Sequence, residues 1–116
     1  MQSYGRAAEY SVSRRCCHRL NAYCGTNVEN AAYPEGLCAE ASAIAAMVSS
    51  GEQWIEEVAV MTNAGVPCPP CGGCRQKIAE FAQVDTEIRI YSPAALLAVY
   101  SMGELLPHAF NASHLE

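Results

Sequence analysis

The chain has 116 residues, enough for one hydrophobic core and too few for two, so we predict a single domain over residues 1–116. Hydrophobic residues make up 51% and charged residues 16%, a balance that excludes a disordered chain. A formal net charge of −5 argues against a nucleic-acid backbone or an anionic membrane as the main partner.

The N-terminus carries no hydrophobic signal core, and no apolar run reaches the roughly 18 residues of a membrane-spanning helix. We therefore expect a cytoplasmic protein that does not bind a membrane. In that compartment the seven cysteines favour metal binding or catalysis over disulfide bonds.

The residues before 24 show no clear hydrophobic period, whereas the rest of the chain alternates between helix and strand patterns. Residues 40–49 are rich in helix formers, and Gly51 follows as a stop. Residues 54–61 favour a buried strand, because their last part is a continuous apolar run, and residues 71–82 favour a second helix. Residues 87–91 alternate as a strand does, and residues 96–100 favour another strand. Residues 103–106 favour a short helical turn, which Pro107 stops. This alternation predicts an α/β domain.

Two fragments carry the residue types of a metal site, Cys38-Ala-Glu40 and Pro70-Cys-Gly-Gly-Cys74. A catalytic zinc ion takes three protein ligands and a water molecule. Cys71 and Cys74 are three residues apart, so both sulfurs face one side of a first helical turn. Cys38 opens a helix, where free N–H groups favour the thiolate. With Glu40 placed to move protons, this pattern indicates a hydrolytic site.

The alternative to this metal site is a structural zinc or redox module that uses Cys68. A lone C-x-x-C is weak evidence, and Cys68-Pro-Pro-Cys71 offers a second such pair. The combination of C-A-E with P-C-x-x-C about thirty residues later is far more specific and is nearly the signature of zinc deaminases of nucleobases. We therefore interpret Cys68 as a small buried apolar residue.

Four segments together resemble cytidine deaminases of the small homotetrameric class: GTNVENAAY at 25–33, CAE at 38–40, PCGGCRQ at 70–76 and LLPHAF at 105–110. The resemblance runs from about residue 23 to residue 110. It implies a three-layer α/β/α fold with a mixed sheet of about five strands, a homotetramer and one Zn²⁺ per subunit.

The resemblance also implies a reaction, deamination of cytidine and 2′-deoxycytidine to uridine and 2′-deoxyuridine in pyrimidine salvage. Cys38, Cys71 and Cys74 would hold zinc, which would lower the pKa of a water molecule. Glu40 would take the proton, the hydroxide would attack C4 of the pyrimidine, and Glu40 would pass the proton to N3 before ammonia leaves. A pseudo-enzyme that keeps the zinc and the fold but not the turnover is the other interpretation.

The resemblance further implies that five positions contact the nucleoside substrate. Asn27 and Glu29 would hold the ribose hydroxyl, although taken alone they are ordinary turn residues. The backbone at Ala39 would contact the base. Tyr33 and Phe110 would reach the site of a neighbouring subunit, where the alternative for each is interface or core packing.

The chain departs from the family next to the catalytic glutamate. An arginine that hydrogen-bonds ligand sulfur often follows the C-A-E glutamate, and here that position is Ala41. Three thiolates on Zn²⁺ leave a formal charge of −1, which weakens the pull of the metal on the proton of water. Arg75 matches a second arginine that can reach the sulfurs from outside the ligand set.

Residues 12–21 are atypical, because they carry three arginines where the family has a buried first strand that runs Phe-Pro-Val-Gly-Ala-Ala-Ile. When the codons that this stretch requires are read one nucleotide later, they permit Arg-Phe-Pro-Val-Gly-Ala-Ala-Ile in order. We interpret the segment as out of frame, with a disrupted first strand and impaired activity. The competing interpretation is a chance surface loop. A basic patch that binds nucleic acid would include lysines and aromatic residues, which this stretch lacks. A second metal site from Cys16, Cys17 and His18 lacks usable spacing.

Overall fold

The computed structural model describes residues 8–16, 19–62 and 66–115, and in these ranges it contains five strands and three α-helices. The strands are β1 (Ala8–Cys16), β2 (Arg19–Thr26), β3 (Glu57–Thr62), β4 (Glu87–Tyr91) and β5 (Leu96–Ser101). The helices are α1 (Ala39–Ser49), α2 (Gly72–Ala79) and α3 (Met102–Leu105), with short 3-10 turns at Tyr33–Glu35 and Ala112–Leu115. Each element predicted after residue 24 is present, with its ends shifted by a few residues at most.

The strands form one sheet in the order β2-β1-β3-β4-β5. All neighbouring strands are antiparallel except β3 and β4, which are parallel. A parallel pair needs a crossover connection, and α2 lies in the connection between these two strands. The predicted α/β class and mixed sheet are confirmed.

The core lies between the sheet and α1. Strand residues alternate, so β3 and β4 turn alternate side chains to one face, where they are buried, and the residues between them point the other way. Helix α1 adds a buried stripe at a spacing of about one helical turn. The buried apolar residues that form the centre of this core are Ala39, Ala43, Met47, Val58, Val60, Ile78, Ile88 and Ile90.

The described helices form one layer. Helix α1 contacts β1, β2 and α2, and α2 in turn contacts α3, so the three helices share a face of the sheet. The opposite face carries Arg89, which pairs with Glu57 at 3.5 Å and Glu87 at 3.2 Å, and both carboxylates are partly exposed. Of the three predicted layers, the residues that the structure describes supply the sheet and one helical layer.

The prediction of a disrupted first strand is wrong for the backbone, because β1 is continuous and pairs on both sides. Its pairing with β2 runs to Cys16 opposite Arg19, whereas its pairing with β3 ends at Ser13 opposite Glu57. Arg14 and Arg15 therefore belong to a hairpin end that extends beyond β3. Ladder hydrogen bonds use only main-chain groups, so a strand can form there whatever its side chains are. Cys17 and His18 lie outside the described residues.

Candidate metal centre and substrate cavities

Three cysteine sulfurs meet where two helices begin. The Sγ atoms of Cys38, Cys71 and Cys74 all lie within 4.8 Å of one another. Cys38 is the N-cap residue of α1, Cys71 is the N-cap residue of α2, and Cys74 is buried in the first turn of α2. Three thiolates in a tight cluster are a donor set that suits Zn²⁺, so the residues present fit the metal that the sequence predicts.

The helix starts favour thiolate at the edge of this cluster and burial disfavours it at the centre. Burial acts to raise the pKa of Cys71, but hydrogen bonds from the backbone and thiol of Cys74 and from the backbone of Gly73 hold it below its ordinary value. Burial, and then the negative charge of Glu40, raise the pKa of Cys74. A dication bound at the cluster would favour the thiolate form of both residues.

Glu40 lies next to the sulfurs without being part of their cluster. It is the second residue of α1, its exposure is only 7%, and it lines a cavity together with Cys38 and Cys71. A carboxylate is seldom buried in a protein unless it has a partner or a function. This placement suits a group that exchanges protons with a molecule held in the cavity.

Two cavities of about 130 Å³ each adjoin the cluster, and both are lined by Asn27 and Cys38. The metal-side cavity also contains Glu40 and Cys68. The loop-side cavity is lined in addition by Glu29 and Tyr33, from the segment between β2 and α1. The structure therefore brings the predicted ribose residues beside the predicted metal site.

Of the residues predicted to contact the base or a neighbouring subunit, only Tyr33 lines one of the two cavities. Ala39 is fully buried, and its N–H donates to Oδ1 of Asn27 at 2.8 Å, so a base that contacts this N–H would share it. Phe110 is 56% exposed, stacks on His114 with ring centres 5.3 Å apart, and lines neither cavity of its own chain. Tyr33 lines the loop-side cavity of its own chain and is 57% exposed.

Arg75 joins the metal-binding segment to the C-terminal segment. Its Nε donates to the carbonyl of Pro70 at 2.7 Å, and its Nη1 donates to the carbonyl of Leu105 at 2.9 Å. The neighbouring Gln76 donates from Nε2 to the carbonyl of Phe110 at 2.9 Å. These main-chain contacts are a role that sequence reasoning missed, because it assigned Arg75 to the sulfurs.

Sequence reasoning also gave no separate role to Gly25, although the residue lies where β2 passes beneath α1. A Cβ at this position would stand 2.4 Å from the carbonyl oxygen of Ala39. A glycine near the end of a strand is a known sign of close backbone approach, and this signal was available in the sequence.

Comparisons with known proteins agree with this site. Residues 11–89 match the family described as the cytidine and deoxycytidylate deaminase zinc-binding region. A cytidine deaminase of Halalkalibacterium halodurans is 36% identical over 91 residues, which are 78% of this chain and 69% of that protein. A cytidine deaminase of Mycoplasma genitalium is 34% identical over 113 residues, 97% of this chain and 87% of that protein.

The fold has a solved counterpart. The crystal structure of cytidine deaminase from Burkholderia pseudomallei superimposes on this chain with a TM-score of 0.78 at 30% sequence identity. The superposition covers 90% of this chain and 81% of the Burkholderia chain. The match over most of the chain confirms the predicted resemblance and the predicted class of enzyme. The chain belongs to the cytidine and deoxycytidylate deaminase family.

Proposed function

We propose that the protein hydrolyses cytidine and 2′-deoxycytidine to uridine and 2′-deoxyuridine in the cytoplasm, as a step of pyrimidine salvage. The observation that carries the proposal is the buried carboxylate of Glu40 in a cavity walled by Cys38 and Cys71. The relatives named above are cytidine deaminases, which supports the choice of substrate.

The chemistry needs one Zn²⁺ per subunit, held by Cys38, Cys71 and Cys74. When bound, zinc supplies a Lewis acid that makes a water molecule acidic near neutral pH. Glu40 accepts a proton from the water that attacks C4 of the pyrimidine and delivers it to N3. Glu40 then takes up the proton of the new C4 hydroxyl and passes it to the amino group, which leaves as ammonia as the C4–N bond breaks and the C4=O bond forms. The oxygen of the product comes from water.

The cavities favour a neutral nucleoside over a nucleotide. Glu29 lines the loop-side cavity, and no lysine, arginine or histidine is among the described residues that line either cavity. A phosphate there would face like charge and find no cationic partner. Asn27 and Glu29 instead offer a donor and an acceptor to a ribose hydroxyl.

We further propose a homotetramer in which Tyr33 and Phe110 reach the site of a neighbouring subunit. Both rings are more than half exposed in the single chain, so a neighbouring subunit can reach them. We propose no nucleic-acid or membrane partner. Among the described residues, none of the helices has the length and apolar character needed to cross a bilayer.

The test of the proposed function is ammonia release from cytidine by the zinc-loaded protein and by Glu40→Gln. The amide is close in shape to the carboxylate but cannot shuttle protons, so we expect turnover to fall by about 10²–10⁴-fold with zinc content and melting temperature unchanged. Glu56→Gln, at an exposed position, is the matched control and should keep full activity. Substantial activity in Glu40→Gln would remove Glu40 from the mechanism. A metal-loaded wild-type protein without turnover would point to a pseudo-enzyme.

A further inference from the structure

Asn27 is the residue that the two cavities share with Cys38, and its side chain is tied to the start of α1. Its Oδ1 accepts a hydrogen bond from the N–H of Ala39 at 2.8 Å. Ala39 is the first residue of α1 and stands between Cys38 and Glu40. Its N–H is one of those at a helix start that have no acceptor within the helix, so it needs an acceptor from elsewhere.

The main chain next to Asn27 is also hydrogen-bonded to the residue just before Cys38. Val28 and Leu37 exchange two backbone hydrogen bonds of 2.8 Å, which close the loop between them. The side-chain bond from Asn27 to Ala39 continues this pairing past Cys38. Together the three bonds fix where the chain enters α1, and therefore where the sulfur of Cys38 stands.

The hydrogen bond also fixes which way the amide of Asn27 points. A backbone N–H is a donor only, so the atom that faces Ala39 must be the amide oxygen. The NH₂ group is left to donate into the cavities. An asparagine supplies both an acceptor and a donor at this point, whereas an aspartate would supply acceptors alone.

We propose that Asn27 is a positioning residue, which sets Cys38 and Glu40 through the N–H of Ala39. Its part in the reaction rests on the proposed function, whereas its part in the geometry of the metal centre does not. The contact of its NH₂ group with the substrate hydroxyl belongs to the proposed function, in which Glu29 accepts the proton of that hydroxyl.

Two substitutions separate the positioning role of Asn27 from its contact with the substrate. Asn27→Asp keeps an acceptor for Ala39 and loses the donor, whereas Asn27→Ala loses both. Co²⁺ in place of zinc gives a visible absorption spectrum that reports the geometry of the thiolate site without any turnover. We expect Asn27→Asp to keep the Co²⁺ spectrum and, within a few-fold, kcat, while its KM for cytidine rises by about tenfold. We expect Asn27→Ala to change the Co²⁺ spectrum and to lower kcat by about 10–100-fold.

The outcomes distinguish this proposal from the proposed function. If both variants raise KM and leave kcat and the Co²⁺ spectrum unchanged, Asn27 only contacts ligand and the positioning role is wrong. If the wild-type protein does not deaminate cytidine, the proposed function fails, but the Co²⁺ spectra of the two variants still decide the positioning role. Gln53→Ala removes an exposed amide that lines neither cavity, and it should match the wild type throughout.

Discussion

A Cβ on Gly25 would stand 2.4 Å from the carbonyl oxygen of Ala39, well inside any normal contact. It would also meet the backbone nitrogen of Ala43 at 2.5 Å, so both obstacles are main-chain atoms of α1 and cannot rotate away. The absence of a side chain therefore lets β2 and α1 approach closely. That approach brings Asn27, two residues further on, within hydrogen-bonding distance of the helix start.

We predict that Gly25→Ala destabilises the fold, because α1 must move away from β2. Overpacking of this kind costs about 1–3 kcal/mol and more where the obstacle is rigid, and thermal denaturation would report it as a lower melting temperature. Gly72→Ala is the matched control, because nothing lies within 4 Å of a Cβ there and an alanine favours the helix. Equal melting temperatures for the two variants would contradict the close approach.

The three-sulfur cluster makes a prediction about metal and stability together. Cys71→Ala and Cys74→Ala should lose zinc, and with it the stabilisation of the folded state, which is about 2.7 kcal/mol at a metal concentration 100 times the Kd. Elemental analysis for zinc and thermal melts with and without a chelator measure both quantities. Cys68→Ala should lose neither, because Cys68 lines the cavity but is outside the cluster. Zinc loss in Cys68→Ala would mean that the ligand set is wrong.

Phe110 makes a prediction that depends on assembly. Its ring lies outside both cavities of its own chain, and we propose that it contacts the base in the site of a neighbouring subunit. Phe110→Ala should therefore raise KM for cytidine while leaving the zinc content unchanged. Leu115→Ala also removes an exposed apolar side chain near the C-terminus, and it should leave KM as it is. The association state is measured in parallel by sedimentation. A monomer at micromolar concentration that is still fully active would exclude the role of Phe110 in a neighbouring site.

The parts of the fold that the sequence predicts are those whose signal is local. The alternation of residues 87–91 alone places Ile88 and Ile90 on one buried face, and the structure has β4 over these same residues. The hydrogen bond between Asn27 and Ala39 joins residues 12 apart, and only the packing of α1 on β2 brings them together. Contacts of this kind leave no periodicity in a sequence, so they had to be seen in the structure.

The same limit explains β1. Its sequence shows no apolar alternation, so local reasoning found no strand before residue 24. Pairing with β2 on one side and β3 on the other nevertheless gives a nine-residue strand. Here the partners decide the structure, because β propensity is weaker than the context that neighbouring strands supply.

The last prediction concerns residues 12–19. In the register of the sheet, Val12 lies opposite Val58 and Ser13 opposite Glu57, whereas Arg14 and Arg15 pair with β2 alone. We predict that replacing residues 12–19 with Arg-Phe-Pro-Val-Gly-Ala-Ala-Ile raises the melting temperature and the turnover of cytidine. The reason is that apolar residues then take the positions of Arg14, Arg15 and Arg19 in this hairpin. Each kcal/mol gained would appear as a rise of about 2–8 °C.

A variant with Arg14→Ser, Arg15→Ser and Arg19→Ser separates the two contributions to this gain. It removes the positive charges without restoring the apolar strand, so it should recover only the part that comes from charge repulsion, which salt also screens. Because the arginines lie on the hairpin end beyond β3, we expect that part to be the smaller one. If neither protein melts higher or turns over cytidine faster than the natural sequence, the stretch is a tolerated variant, and the out-of-frame interpretation is wrong.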